Sequence, residues 1–134
     1  MALAHVEHIT IGPVEFPAYG DYTSDCPARI GVDLFGNSWL PVVVYTLRNG
    51  PMRPGELRAV IGGISQKMLT QTLRKMERMT LVERRRYAES PPRVEYELTK
   101  AGLDLLIPLY ALGDWVDRHG SAVTAALADG DDED

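Results

Sequence analysis

Between Ser65 and Arg78 the chain sets Gln66, Lys67, Thr70, Gln71 and Arg74 on one side of a helical repeat and Leu69, Leu73 and Met76 on the other. Glutamine and arginine reach base edges, whereas lysine, serine and threonine suit phosphate oxygens. The apolar residues fall at i, i+4 and i+7, which gives one stripe for a core. Ser65 is a good N-cap, because its hydroxyl can accept from an unpaired amide of the first turn. No acid interrupts the polar face before Glu77. The spacing predicts a helix over about 65–79, and its polar face has the chemistry to read a polyanion. An ordinary amphipathic helix would carry the same stripe, so the neighbouring elements must decide.

Those neighbours frame it. Gly50 and Pro51 make a turn, and Met52 and Arg53 suit a brief extended piece. Pro54 opens a helix with Leu57, Val60 and Ile61 on one face, and Gly62 and Gly63 turn it into the next. Helix, tight glycine turn, helix is the helix-turn-helix layout, with the polar face in second position. Downstream, Leu81 and Val82 start a strand that runs through Arg84, Arg85 and Arg86, Ser90-Pro91-Pro92 forms a tip, and Val94, Tyr96 and Leu98 alternate inward. A basic hairpin over about 82–98 behind a reading helix is a wing. Its candidates for backbone and minor-groove contact are Arg84, Arg86 and Arg93. Arg93 is the strongest, since an arginine near the tip gains from the negative potential of a narrow minor groove.

The flanks are less informative. Residues 1–25 hold no Lys or Arg, and Pro13, Pro17 and Gly20 break any periodicity. A loosely ordered leader is expected there, with a strand or subunit-packing arm as the alternative. Pro27 suits a first helical position behind a cap at Asp25 or Cys26, and Gly36 ends that helix. The apolar run Trp39 to Leu47 reads as an enclosed helix capped by Ser38, with Pro41 tolerated in its first turn. Thr99 caps the last helix, which Pro108 should kink. Its Leu106, Leu109, Tyr110, Leu112, Trp115 and Val116 exceed what a small domain covers, which points to a second subunit. The predicted division is a leader at 1–25, the helix-turn-helix and wing at 26–98, a dimerisation helix at 99–120 and a disordered acidic tail at 121–134.

Composition allows this reading. The 134 residues suffice for one domain, and the formal net charge is −5. That total hides its distribution: residues 51–100 hold 11 basic and 6 acidic side chains, while 101–134 hold 1 and 8. Local charge governs where a polyanion docks. No apolar run approaches a membrane span, no secretory signal is apparent, and one cysteine excludes an intrachain disulfide framework, so a cytoplasmic protein is expected. His5 and His8 lie far from His119, and Gly62-Gly63 lacks the spacing of a phosphate loop. No enzyme, metal or cofactor is therefore expected.

The motifs Cys26-Pro27, Gly36 to Trp39, Gly50-Pro51, Glu56-Leu57-Arg58, Gly62 to Gln71, Leu81 to Arg84 and Pro91 to Tyr96 together resemble the HxlR family, winged-helix bacterial transcription regulators related to the MarR type. The resemblance covers residues 26 to about 118. It implies an α+β, mainly helical fold, a winged helix-turn-helix with a two-stranded wing and a C-terminal dimerisation helix. It also implies a homodimer on double-stranded DNA, acting as repressor or activator, with room for an unidentified small-molecule or oxidant effector. Some family members sense oxidants or electrophiles through a cysteine placed like Cys26. A helix N-terminus would favour the thiolate and Asp25 would oppose it, so a packing cysteine is the preferred reading. Pro41 and the long leader depart from the family pattern. Two alternatives stay open: a winged helix used for protein interaction without DNA, and a Cys26-based sensor on the same scaffold.

Overall fold

A computed structural model of the chain describes residues 7–11, 14–36 and 39–131. The chain divides between Pro41 and Val42 into two compact units. In the first, β1 (Glu7–Ile11) and β2 (Val14–Ala18) pair antiparallel, from Glu7 opposite Ala18 to Ile11 opposite Val14. This hairpin stands where a loosely ordered leader was expected. The β-branched residues Ile9, Thr10, Ile11 and Val14 favour extended backbone, and a two-stranded sheet has only edge strands, which tolerate Pro17.

Helix α1 (Arg29–Gly36) starts two residues later than Pro27 suggested. The amides of Arg29, Ile30 and Gly31 donate to the carbonyls of Cys26, Pro27 and Ala28, three residues back. The chain thus enters through tight turns, and Cys26 lies ahead of the helix rather than at its cap. Helix α2 (Leu40–Thr46) carries Pro41 as its second residue, where the missing amide has no partner to lose. The expected Ser38 cap lies outside the described residues.

The second unit is built on the helix-turn-helix. Helix α3 (Pro54–Ile61) leads through Gly62 and Gly63, at φ 67° and 70°, into α4 (Gln66–Arg78). Two successive left-handed residues fit glycine alone without strain, which explains the pair. Glu56 reaches back to the Arg53 amide at 2.9 Å, and this bond chiefly holds its carboxyl below the usual range. Strands β3 (Val82–Tyr87) and β4 (Arg93–Leu98) form the antiparallel wing, and Met52 bridges to Tyr96 as the expected extended piece. Val43, Val44, Leu47, Leu57, Leu69, Leu73, Met76, Leu81, Val82, Tyr96 and Leu98 are buried, so α2, α3, α4 and the base of the wing supply the core.

Thr99 caps α5 (Lys100–Asp104), accepting from the Gly102 amide at 3.2 Å and donating to the Thr80 carbonyl at 2.7 Å. A Cβ at Gly102 would collide with the Leu81 carbonyl, which keeps that position small. The C-terminal expectation needs two corrections. Pro108 does not kink one helix; the helix breaks at Leu105 and restarts as α6 (Leu106–Asp131). Proline at 108 has no amide for the Asp104 carbonyl and its ring crowds that group, so it is accommodated in the first turn of a new helix. Helix α6 also continues past Gly120 through Asp131, into the segment expected to be a disordered tail. Ser121 to Ala128 includes four alanines and a leucine, strong helix formers that carry the helix onward.

Candidate nucleic-acid interface

Helix α4 is fixed from both ends and from below. The Ser65 hydroxyl accepts from the Met68 amide at 3.0 Å, as its N-cap position requires. At the other end Leu81 donates to Met76 and Thr80 to Glu77, with Thr80 left-handed at φ 59°, a Schellman-type stop. Leu69, Leu73 and Met76 are each at most 1% exposed, as their spacing predicted. Sequence reasoning missed Thr72, which is buried and donates its hydroxyl to the Met68 carbonyl at 2.8 Å.

The opposite face stands in solvent. Gln66, Lys67, Thr70, Gln71 and Arg74 line one open depression of about 550 Å³. Among the described residues, Lys67, Arg74, Lys75 and Arg78 form no ion pair with an acid. Residues 65–79 hold four cations against Glu77, a net charge of +3. Unpaired cations interleaved with amide and hydroxyl groups can reach phosphates and base edges without first breaking internal bonds.

The wing differs. It holds four arginines and four glutamates, so the segment its arginine run marks as basic carries no net charge. Arg85 lies 3.2 Å from Glu97 and 3.7 Å from Glu83. Arg93 lies 3.3 Å from Glu89 and 3.5 Å from Glu95, with its guanidinium 4.3 Å above the Tyr87 ring. Its Nε is shielded from solvent and has no hydrogen-bond partner. Arg84 reaches back to Glu77 of α4 at 3.6 Å. Only Arg86 among the wing arginines forms no ion pair among the described residues, and it lines a depression at the tip with Tyr87, Glu89, Ser90 and Pro92. The Ser90–Pro91 bond at the tip is cis. The register sets Arg84 opposite Tyr96 and Arg86 opposite Val94, on the face that is core at Val82 and Leu98. The acids that neutralise the wing were visible in the sequence, as Glu83, Glu89, Glu95 and Glu97.

The other candidates lie elsewhere. Tyr110, Leu112, Trp115 and Val116 are exposed on α6, and Leu106 and Leu109 are half-buried. Val123 and Leu127 extend the exposed apolar surface beyond the expected set. Cys26 is a free, half-buried thiol packed beside Gly20. Asp21 accepts from the Thr23 amide at 3.1 Å and hydroxyl at 2.9 Å, and these bonds chiefly lower its carboxyl pKa.

Known proteins share this arrangement. A family profile described as HxlR-like helix-turn-helix matches residues 34–124. A helix-turn-helix-type transcriptional regulator of Methanothermobacter thermautotrophicus is 37% identical over 116 residues, covering 81% of this chain and 88% of the relative. The reduced form of the transcriptional regulator YodB from B. subtilis superposes with a TM-score of 0.64 at 34% identity, covering 69% of this chain and 92% of that one. The redox regulator HypR in its reduced form gives a TM-score of 0.68 at 30% identity, covering 74% and 98%. A glycine-turned helix pair, a two-stranded wing and a matched span from α1 into α6 agree with these relatives, and the chain belongs to the HxlR family of winged helix-turn-helix transcriptional regulators.

Proposed function

We propose that the protein binds double-stranded DNA as a homodimer on a pseudo-palindromic operator. Helix α4 enters the major groove, and the wing lies on the backbone or in the adjacent minor groove. Two reading helices in a dimer address half-sites about one helical turn apart. Lys67, Gln71 and Arg74 make the central contacts, with Ser65, Gln66 and Thr70 at phosphates or base edges and Arg86 and Arg93 reaching from the wing. The observation that carries this reading is the outward face of α4, where cations without acid partners alternate with amide and hydroxyl groups over a locked core stripe. The exposed apolar side chains of α6, Tyr110, Leu112, Trp115 and Val116 among them, supply the dimer contact together with Leu106 and Leu109.

A salt series on duplex promoter fragments tests it. Phosphate neutralisation makes log affinity fall linearly with log salt, by about 0.9 per phosphate contacted. A steep slope and a two-to-one protein-to-site stoichiometry are expected. Absence of binding to any fragment, the protein's own promoter included, would favour a winged helix used for protein interaction. A second reading, regulation through Cys26, draws support from the free thiol and from the likeness to a redox regulator. Intact mass after peroxide or aldehyde treatment decides it, since an unmodified Cys26 ends that reading.

A further inference from the structure

Helix α4 and strand β3 are joined by three residues, and the middle one, Thr80, is left-handed at φ 59°. This short link, with Leu81 buried within it, fixes where the wing starts. One ion pair spans the link, from Arg84 Nε to Glu77 Oε2 at 3.6 Å. At 3.6 residues per turn, Glu77 shares a flank of α4 with Gln66 and Thr70, so the pair meets the edge of the reading face. Its other end is seated firmly. Arg84 stands opposite Tyr96, which is buried. Tyr96 in turn is held at both backbone groups by Met52, at 2.9 and 3.0 Å.

We infer that Arg84 is a positioning residue: its pair with Glu77 ties the wing to the recognition helix and sets the angle at which both meet DNA. The sequence pointed to Arg84 as a DNA contact, and its place in the fold assigns it a different task. A guanidinium paired with Glu77 on the neighbouring helix is already neutralised. Glu77, the only acid of α4, then has a function in a helix otherwise cationic on its exposed side. This inference rests on the DNA-binding reading proposed above.

Two measurements test it. In the free protein, amide hydrogen exchange at residues 83–87 and 93–97 should quicken in Arg84→Gln and in Glu77→Gln alike, with the α4 core amides unchanged. Unaltered wing exchange in both variants overturns the tether. In operator titrations, Arg84→Gln should weaken binding about two- to fivefold, the scale of an exposed pair. The salt slope should stay that of the wild type, and the substitution should cost nothing further once residue 77 is already glutamine. A phosphate contact would instead lower the slope by about 0.9 and cost the same in both backgrounds, which overturns the inference. If the wild type binds no duplex, the DNA reading falls and the positioning role with it, while exchange still shows whether the tether exists.

Discussion

Helix α4 and the wing each carry four cations, and they hold them in opposite ways. Among the described residues, Lys67, Arg74, Lys75 and Arg78 stand free of acids, whereas Arg84, Arg85 and Arg93 are each matched to a glutamate within 4 Å. A free cation brings its full charge to a phosphate, while a paired one must first give up its partner. The electrostatic attraction of this domain for a polyanion therefore resides mainly in the helix. The wing is pre-shaped by its own ion pairs, with Arg86 as its uncommitted charge. Under the proposed DNA-binding mode, charge on the helix supports affinity, while charge on the wing first supports the shape of the wing.

The comparison breaks hardest if the helix loses its seat. Leu73 is 1% exposed beneath the reading face, so Leu73→Ala should cost about 2–5 kcal/mol of stability. Thermal or urea unfolding measures this, and DNA affinity should fall only where unfolded protein accumulates. A variant as stable as the wild type would show that α4 does not depend on its core stripe.

Next comes the free charge itself. Arg74→Ala should weaken operator binding by about 1–3 kcal/mol if the residue reads a base, with unfolding unchanged. Fluorescence titration at fixed salt checks it, and unchanged affinity removes Arg74 from the interface. Below this stands the cap. Ser65→Ala leaves the Met68 amide without its acceptor and should cost about 1 kcal/mol of stability, read as a lowered denaturation midpoint. Ser65→Asp should retain the cap but place an acid where a phosphate would sit. It should therefore keep stability and lose affinity, which separates the two duties of the position.

Much of this was legible before the fold was known. The 62–79 stretch announced itself because glycine pairs, a capping serine and an i, i+4, i+7 stripe are local signals, each with one cheap structural solution. The Val94, Tyr96, Leu98 alternation placed the wing for the same reason. What escaped depended on partners far apart in sequence or on competition between weak preferences. Glu97 follows Arg85 by twelve residues, so which acid holds which arginine emerges only once the strand register is known. Pro108 announced a disturbance, but whether a helix bends or restarts depends on how the preceding carbonyls at Asp104 and Leu105 are satisfied. Two preferences met in the acidic tail, repulsion between like charges against the alanine-rich propensity of 121–128, and the helix prevails as far as Asp131.

The smallest expected effect is also the sharpest test of the contrast. Arg93 sits near the wing tip, where an arginine would serve a minor groove best, yet Glu89, Glu95 and the Tyr87 ring hold it against the wing. Pairs of this exposed kind contribute about 0.2–1 kcal/mol, enough to subtract from a DNA contact without abolishing it. Arg93→Ala should therefore weaken binding less than Arg74→Ala at the same salt. Glu89→Gln with Glu95→Gln should strengthen binding, because Arg93 then reaches DNA without leaving two acids behind and the wing gains net positive charge. The gain should shrink when Arg93 is already alanine, since only repulsion by the acids would then be relieved. Equal losses for Arg74→Ala and Arg93→Ala would show that the pairing in the free wing exerts no hold on its arginine, and that helix and wing use their charges alike.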